Sequence, residues 1–235
     1  MSIKPVMVIT GTSRGIGYEA ALFFLEEGYT VLGCSRSAGT IFHENYSHYE
    51  VDVCDEKSVR DWVRKTKKRH GRIDILVCNV GLVTLGAVVG ATSLDMFRAY
   101  VDTNLISTFL VCREFSKIMT VQRYGRIINI SSTQSEMHTP GTCAYASSKQ
   151  AVVEFTKVLA NEVAEYGVTC NVVSPSLINT KSAEVFGAKW KSNILNQQAI
   201  KHVIDVKELC HVISFFAQPK SSMVTGQVLH TCFIA

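Results

Sequence analysis

The chain has 235 residues, 47% of them hydrophobic and 19% charged, with a formal net charge of +4. That is enough apolar material for one sizeable core, which excludes a disordered chain, and the charge is too small to argue for nucleic-acid or membrane binding. Eight cysteines without a CxxC pair and seven histidines without HExxH exclude a zinc centre and point to reduced thiols in a reducing compartment. Apolar runs then alternate with helical patterns along nearly the whole length. Residues 6–10 form the first strand, and 15–27 a helix with Ala20, Ala21, Phe24 and Leu25 near one face. Strands follow at 30–35 and 49–53, an amphipathic helix with a basic outer face at 58–70, and a strongly apolar strand at 73–79. A long helix is expected at 94–120, a strand at 126–131, a helix at 144–166 and a strand at 169–174. The least patterned stretch, 181–201, reads as an excursion over the sheet, before a helix at 205–217 and a last strand at 227–230. Strands separated by helices imply a doubly wound parallel α/β sheet of about seven strands, helices on both faces, in one Rossmann-like domain over 1–235. No apolar run approaches the roughly 18 residues of a membrane span, and no signal-peptide pattern precedes the first strand, so a cytoplasmic protein is expected.

The turn between the first strand and the first helix reads Thr10-Gly11-Thr12-Ser13-Arg14-Gly15-Ile16-Gly17. Gly11 permits a tight turn; Gly15 and Gly17 let backbone approach a pyrophosphate and let helix pack on strand. The helix N-terminus offers free N–H groups and partial positive charge to phosphates. Farther on come Cys78-Asn79-Val80-Gly81, then Asp102-Thr103-Asn104-Leu105, Ile128-Asn129-Ile130-Ser131-Ser132, Tyr145-Ala146-Ser147-Ser148-Lys149, and Asn171-Val172-Val173-Ser174-Pro175. In this order and spacing the chain resembles the short-chain dehydrogenase/reductase family over almost its whole length. The resemblance implies a nicotinamide cofactor and carbonyl–alcohol redox chemistry. It also implies cofactor contacts from Gly11, Ser13, Arg14, Gly15, Ile16 and Gly17, from Asp52 and Val53 at the adenine, and from Asn79 and Gly81. At the nicotinamide it implies Pro175, Ile178 and Thr180.

An acid at the end of the second strand would bind the adenosine ribose and repel a 2′-phosphate. Here Ser35 stands there, followed by Arg36, with Arg14 in the glycine turn. Two guanidinium groups and no competing acid favour NADP over NAD.

Tyr145 and Lys149 are four apart on one helix face. A carbonyl receiving hydride needs a proton donor, and a nearby ammonium is expected to lower the phenol pKa while also holding the nicotinamide ribose. Tyr145 is thus the expected general acid in reduction and general base in oxidation. Ser132, just past a strand, is placed to hydrogen-bond the substrate oxygen. Asn104 matches the family member that holds a relay water behind the lysine. No metal ligand set is present. Cys34, Cys78 and Cys143 lie beside these positions; most cysteines read as inert packing, and thiol modification at these three is the alternative, which would inhibit.

The chain departs from the family pattern at Pro175-Ser176, where the family has Pro-Gly, and after Gln227, where a DGG-like ending is replaced by Val228-Leu229-His230. It looks most like 3-oxoacyl-carrier-protein reductases. Arg123 matches a basic position such enzymes turn toward an acidic carrier, but its companion position is Tyr166, preceded by Glu165. The expected function is NADP(H)-dependent reduction of a ketone or 3-oxoacyl thioester, with 181–201 as a substrate lid and a homodimer or homotetramer as the assembly. The alternatives are an NAD-dependent secondary-alcohol or hydroxysteroid dehydrogenase and a non-catalytic NADP-sensing or scaffold protein.

Overall fold

Near-continuous apolar runs can be buried on both faces only in a parallel sheet covered by helices on each side. The computed structural model, which describes residues 4–84, 86–180 and 187–234, has that architecture. Its elements are β1 (Val6–Thr10), α1 (Gly15–Glu26), β2 (Thr30–Ser35), β3 (Tyr46–Glu50), α2 (Glu56–His70), β4 (Ile75–Cys78), α3 (Leu94–Tyr100), α4 (Ser107–Gln122), β5 (Gly125–Ile130), α5 (Gln134–Met137), α6 (Cys143–Val163), β6 (Val168–Ser174), α7 (Ala188–Gln197), α8 (Val206–Ala217) and β7 (Val228–His230). The seven strands run parallel in the order β3-β2-β1-β4-β5-β6-β7. Chain order reverses between β1 and β4, so a crevice opens at their carboxyl ends, the standard ligand position in such sheets.

Alternate strand residues face opposite sides. Val8, Leu32, Leu76 and Ile127 pack with Trp62 and Phe115 on one face. Met7, Ile9, Val31 and Ile75 pack with Phe24, Ile213 and Phe216 on the other. Helix ends follow their sequence signals. Asp55 caps α2 by accepting from Ser58 N at 2.7 Å, and α8 opens with a capping box between Asp205 and Glu208.

Three sequence expectations are corrected. The third strand lies at Tyr46–Glu50, three residues before the expected start. It is an edge strand with one partner, so polar Ser47 and His48 are tolerated and the apolar run at 51–53 falls beyond it. The expected single helix at 94–120 is broken by one π-helical turn, Val101–Ile106, between α3 and α4. The short helix α5 was not expected. Of the expected lid, residues 181–186 lie outside the described residues, and α7 occupies 188–197. Among the described residues no helix is long and apolar enough to cross a membrane, no group of side chains could hold a metal ion, and all eight cysteines are unpaired.

Candidate active site

The β1–α1 turn is shaped to leave room for an anion. Gly11 and Gly15 have φ of +78° and +59°, angles that favour glycine. A Cβ on Gly17 would come within 2.3 Å of the Gly11 carbonyl oxygen and 2.6 Å of Asn79 Nδ2, so the close packing of helix on turn requires glycine. Asn79 in turn ties β4 to β1: its Nδ2 donates to Thr10 O at 2.9 Å, and its backbone N–H to Thr10 Oγ1 at 2.9 Å. Arg14 is the N-cap of α1 and makes no capping bond, and no acid stands in the first helical turn. The N–H groups there have no side-chain acceptor, which fits a pyrophosphate.

On the adenosine side, Ser35 ends β2 with its hydroxyl donating to Ser37 O at 2.8 Å. It is therefore engaged in the turn rather than free to meet a ribose. Arg14 and Arg36 are both exposed, and neither forms an ion pair among the described residues. Asp52 accepts from Cys54 N at 2.9 Å, and Val53 is buried beside it. The sequence reading missed His48. Its Nε2 lies 2.9 Å from Ser37 O and 3.1 Å from Ser35 Oγ, and its Nδ1 2.9 Å from Tyr46 Oη. Because a carbonyl only accepts, Nε2 is the donor to Ser37 O; Nδ1 pairs with Tyr46 Oη, and that oxygen pairs with Thr12 Oγ1 at 2.9 Å. A chain of side chains thus runs from the glycine turn to the Ser35–Ser37 corner. A polar run in an edge strand was the available signal.

The proposed catalytic group assembles from three elements. α6 starts at Cys143, which puts Tyr145 and Lys149 one turn apart near its N-terminus. Ser132 follows β5 and lines the same cleft as Tyr145. Lys149 is 4% exposed, and its Nζ donates to Ile130 O at 2.8 Å. Burial lowers the Lys149 pKa to about 8. Burial also raises the Tyr145 phenol, with Ser132 pulling it down and Tyr100 pushing it up. The Lys149 ammonium is turned onto the Ile130 carbonyl, and among the described residues no hydrogen bond joins it to the phenol. Asn104 sits in the π turn, fully buried, with Oδ1 accepting from Leu82 N at 2.6 Å and Nδ2 donating to Ser148 Oγ at 2.8 Å. It stands behind the wall of the site. A Cβ on Gly81 would lie 3.1 Å from Lys149 Nζ and 3.4 Å from Asn104 Oδ1, so Gly81 is where the backbone passes both.

A cleft of about 280 Å³ gathers Ile16, Asn79, Gly81, Ser132, Tyr145, Lys149, Pro175, Ile178 and Thr180. The remaining expected cofactor residues (Gly11, Ser13, Arg14, Gly15, Gly17, Ser35, Arg36, Asp52 and Val53) are not among its lining. Leu82, Met96 and Tyr100 face this set from one side, and Trp190 and Ile194 of α7 from another. Ser176 lies in the same wall and donates to Gln198 Oε1 at 2.8 Å. Gln198 Nε2 donates to Ile200 O and His202 O, each at 2.8 Å, and Ala199 N donates to Cys232 O at 2.8 Å. The two departures from the family pattern, Ser176 and the C-terminal segment, thus meet at the end of α7.

Of the three thiols near the site, Cys34 and Cys78 are buried, and burial pushes Cys34 up to about 12. A buried, protonated thiol is inert, which overturns the alternative of modification at those two. Cys143 lines the cleft, with Sγ 3.4 Å from Thr92 Oγ1. Arg123, expected to face a carrier, donates to Glu165 O at 3.2 Å and lies 5.9 Å over the Tyr166 ring.

A family model described as enoyl-(acyl carrier protein) reductase matches residues 11–232. The chain belongs to the short-chain dehydrogenase/reductase family. Within the family it is similar to 3-oxoacyl-(acyl-carrier-protein) reductase FabG of Vibrio harveyi, at 31% identity over 96% of this chain and 94% of the relative. The FabG of Thermotoga maritima is 33% identical over 95% of this chain and 94% of its own. Among solved structures, ElxO with NADP bound superposes with a TM-score of 0.90 at 30% identity, covering 97% of each chain. The fold and the oxidoreductase family are thereby established.

Proposed function

We propose that this short-chain dehydrogenase/reductase transfers hydride between NADP(H) and a carbonyl compound, reducing a ketone or a 3-oxoacyl thioester. The observation that carries the reading is that Ser132, Tyr145 and buried Lys149 line one cleft together with Ile16 of the glycine turn. A bound nicotinamide dinucleotide would supply or take up the hydride. The N–H groups at the start of α1 would hold its pyrophosphate, and Lys149 Nζ its nicotinamide ribose. Ser132 Oγ would orient the substrate oxygen, and Tyr145 Oη would donate the proton as negative charge develops there. Burial keeps the phenol protonated but a weak acid; ribose binding would release Lys149 from the Ile130 carbonyl toward the phenol and lower its pKa.

Exposed Arg14 and Arg36, with no acid at position 35 or 36, favour a 2′-phosphate over a bare ribose. NADP on the ElxO neighbour supports the same choice. An NAD-dependent dehydrogenase has no such carboxylate to use here. The engagement of Arg123 with Glu165 and Tyr166 favours a small ketone over a carrier-bound thioester. Exposed Phe109 and Val158 on α4 and α6 support assembly into a homodimer or homotetramer.

The test combines binding and turnover. NADPH is expected to raise the melting temperature well beyond NADH. Tyr145→Phe is expected to keep that shift but lose most reduction of any accepted ketone, a fall of about 10²-fold or more. Equal shifts from both cofactors overturn the NADP assignment, and undiminished turnover overturns the role of Tyr145.

A further inference from the structure

We infer that Gln134 selects the substrate by accepting a hydrogen bond from a hydroxyl carried near the reacting carbonyl, on an otherwise apolar and uncharged ketone. The inference rests on the proposed ketone reduction and narrows its substrate class. Gln134 opens α5, two residues after Ser132, and its backbone N–H donates to Ser132 Oγ at 3.3 Å. It is 5% exposed and lines the cleft. Its Nε2 faces Met137 Sδ at 3.1 Å, a weak acceptor, and its Oε1 is buried with no hydrogen-bond partner. Exchanging the amide oxygen and nitrogen would set oxygen against sulfur and leave the N–H groups unpaired instead. A buried acceptor left without a donor costs stability, so a native one calls for an explanation. Among the described residues, Gln134 Oε1 is the one such atom whose residue lines the cleft.

Other polar side chains of the cleft are already engaged. Thr84 pairs with the Tyr100 hydroxyl at 2.7 Å, Thr92 donates to Ala87 O at 3.0 Å, Thr142 to Thr139 O at 2.6 Å, and Ser176 to Gln198. Among the described lining residues, the Gln134 oxygen is the buried side-chain acceptor left with no donor of its own. The chemistry of the complement follows. A second carbonyl or an ether would set acceptor against acceptor. A carboxylate or phosphate would find, among the described lining residues, a single charged side chain, Lys149, whose ammonium is turned onto Ile130. An ammonium would be buried with no carboxylate to pair it. A hydroxyl is the neutral donor that fits. This places hydroxy ketones ahead of both plain ketones and 3-oxoacyl thioesters, whose second carbonyl lacks the donor.

The experiment compares 1-hydroxyoctan-2-one and 4-hydroxyoctan-2-one with octan-2-one, with NADPH, in the wild type and in Gln134→Met, which keeps side-chain length and removes the acceptor. The wild type is expected to favour at least one hydroxy ketone in kcat/KM by about 10- to 100-fold, and the variant to bring that ratio to about 1. A wild type without preference, or a variant that keeps it, overturns the inference while ketone reduction stands. Where the wild type reduces none of the three, the ketone branch of the functional proposal fails instead, and Gln134 is judged by melting in saturating NADPH. A hydroxy ketone that shifts the wild type beyond octan-2-one, and does not do so in Gln134→Met, upholds the hydrogen bond; equal shifts overturn it. Gln134→Met is itself expected to melt no lower than the wild type, because it removes an unpartnered buried oxygen.

Discussion

Lys149 is nearly out of reach of water, and burial holds its pKa at about 8 against an ordinary 10.5. Between those values the unfolded chain binds the proton and the folded chain does not, so this group makes the fold more stable as pH rises through the window. Cofactor binding is expected to move the other way, because the ammonium that would hold the ribose is lost above about pH 8. NADPH affinity, followed by fluorescence, should weaken about fivefold between pH 8 and 9. Lys149→Met should bind NADPH more weakly with little pH dependence, and should melt above the wild type at pH 7 by a margin that shrinks as pH passes 8. A wild-type affinity flat across that range would show that the lysine charge is not what holds the cofactor. Residue by residue, the site divides into what the sequence could and could not show. Spacing alone put Tyr145 and Lys149 on one face and Ser132 at a strand end. That Lys149 turns to a carbonyl, or that Gln134 keeps an unpartnered oxygen, depends on where neighbours from distant segments end up, and residue type carries no trace of it.

Secondary structure was readable where one element meets one environment. β1, β2 and β6 are buried on both faces, and their apolar runs locate them within a residue. The exceptions have physical causes. β3 is half-exposed along its length, so its polar residues masked it and a neighbouring apolar run was taken for it. The π turn at Val101–Ile106 shifts helical phase by one residue without disturbing composition, and it is this shift that seats buried Asn104 against Leu82 and Ser148. At α8 local signal and structure agree: Asp205 accepts from Lys207 N at 2.8 Å, and Glu208 accepts from Asp205 N at 2.7 Å. Asp205→Ala is expected to cost about 1 kcal/mol, a fall in melting temperature of about 2–4 °C, with NADPH binding retained. No change on calorimetry would mean that the packing of α8 against α1 fixes this end without its cap.

Across the molecule, one sheet carries the glycine turn on β1, Ser132 after β5 and Pro175 and Ile178 after β6, so a single sheet brings all the cleft's parts together. The same economy leaves apolar side chains facing outward, Phe109 at 37% and Val158 at 52% exposure. Light scattering at micromolar concentration is expected to give two or four times the mass of one chain, and Phe109→Lys with Val158→Lys to reduce it. A wild type of single mass would assign those residues to bare surface. The bond from Ala199 to the Cys232 carbonyl bears on time as well as space. During synthesis the phosphate turn leaves the ribosome first and the Tyr145–Lys149 turn roughly midway. The backbone bond that steadies the end of α7 waits for Cys232. A growing chain would therefore present the proposed dinucleotide grip long before this wall of the cleft is tied down.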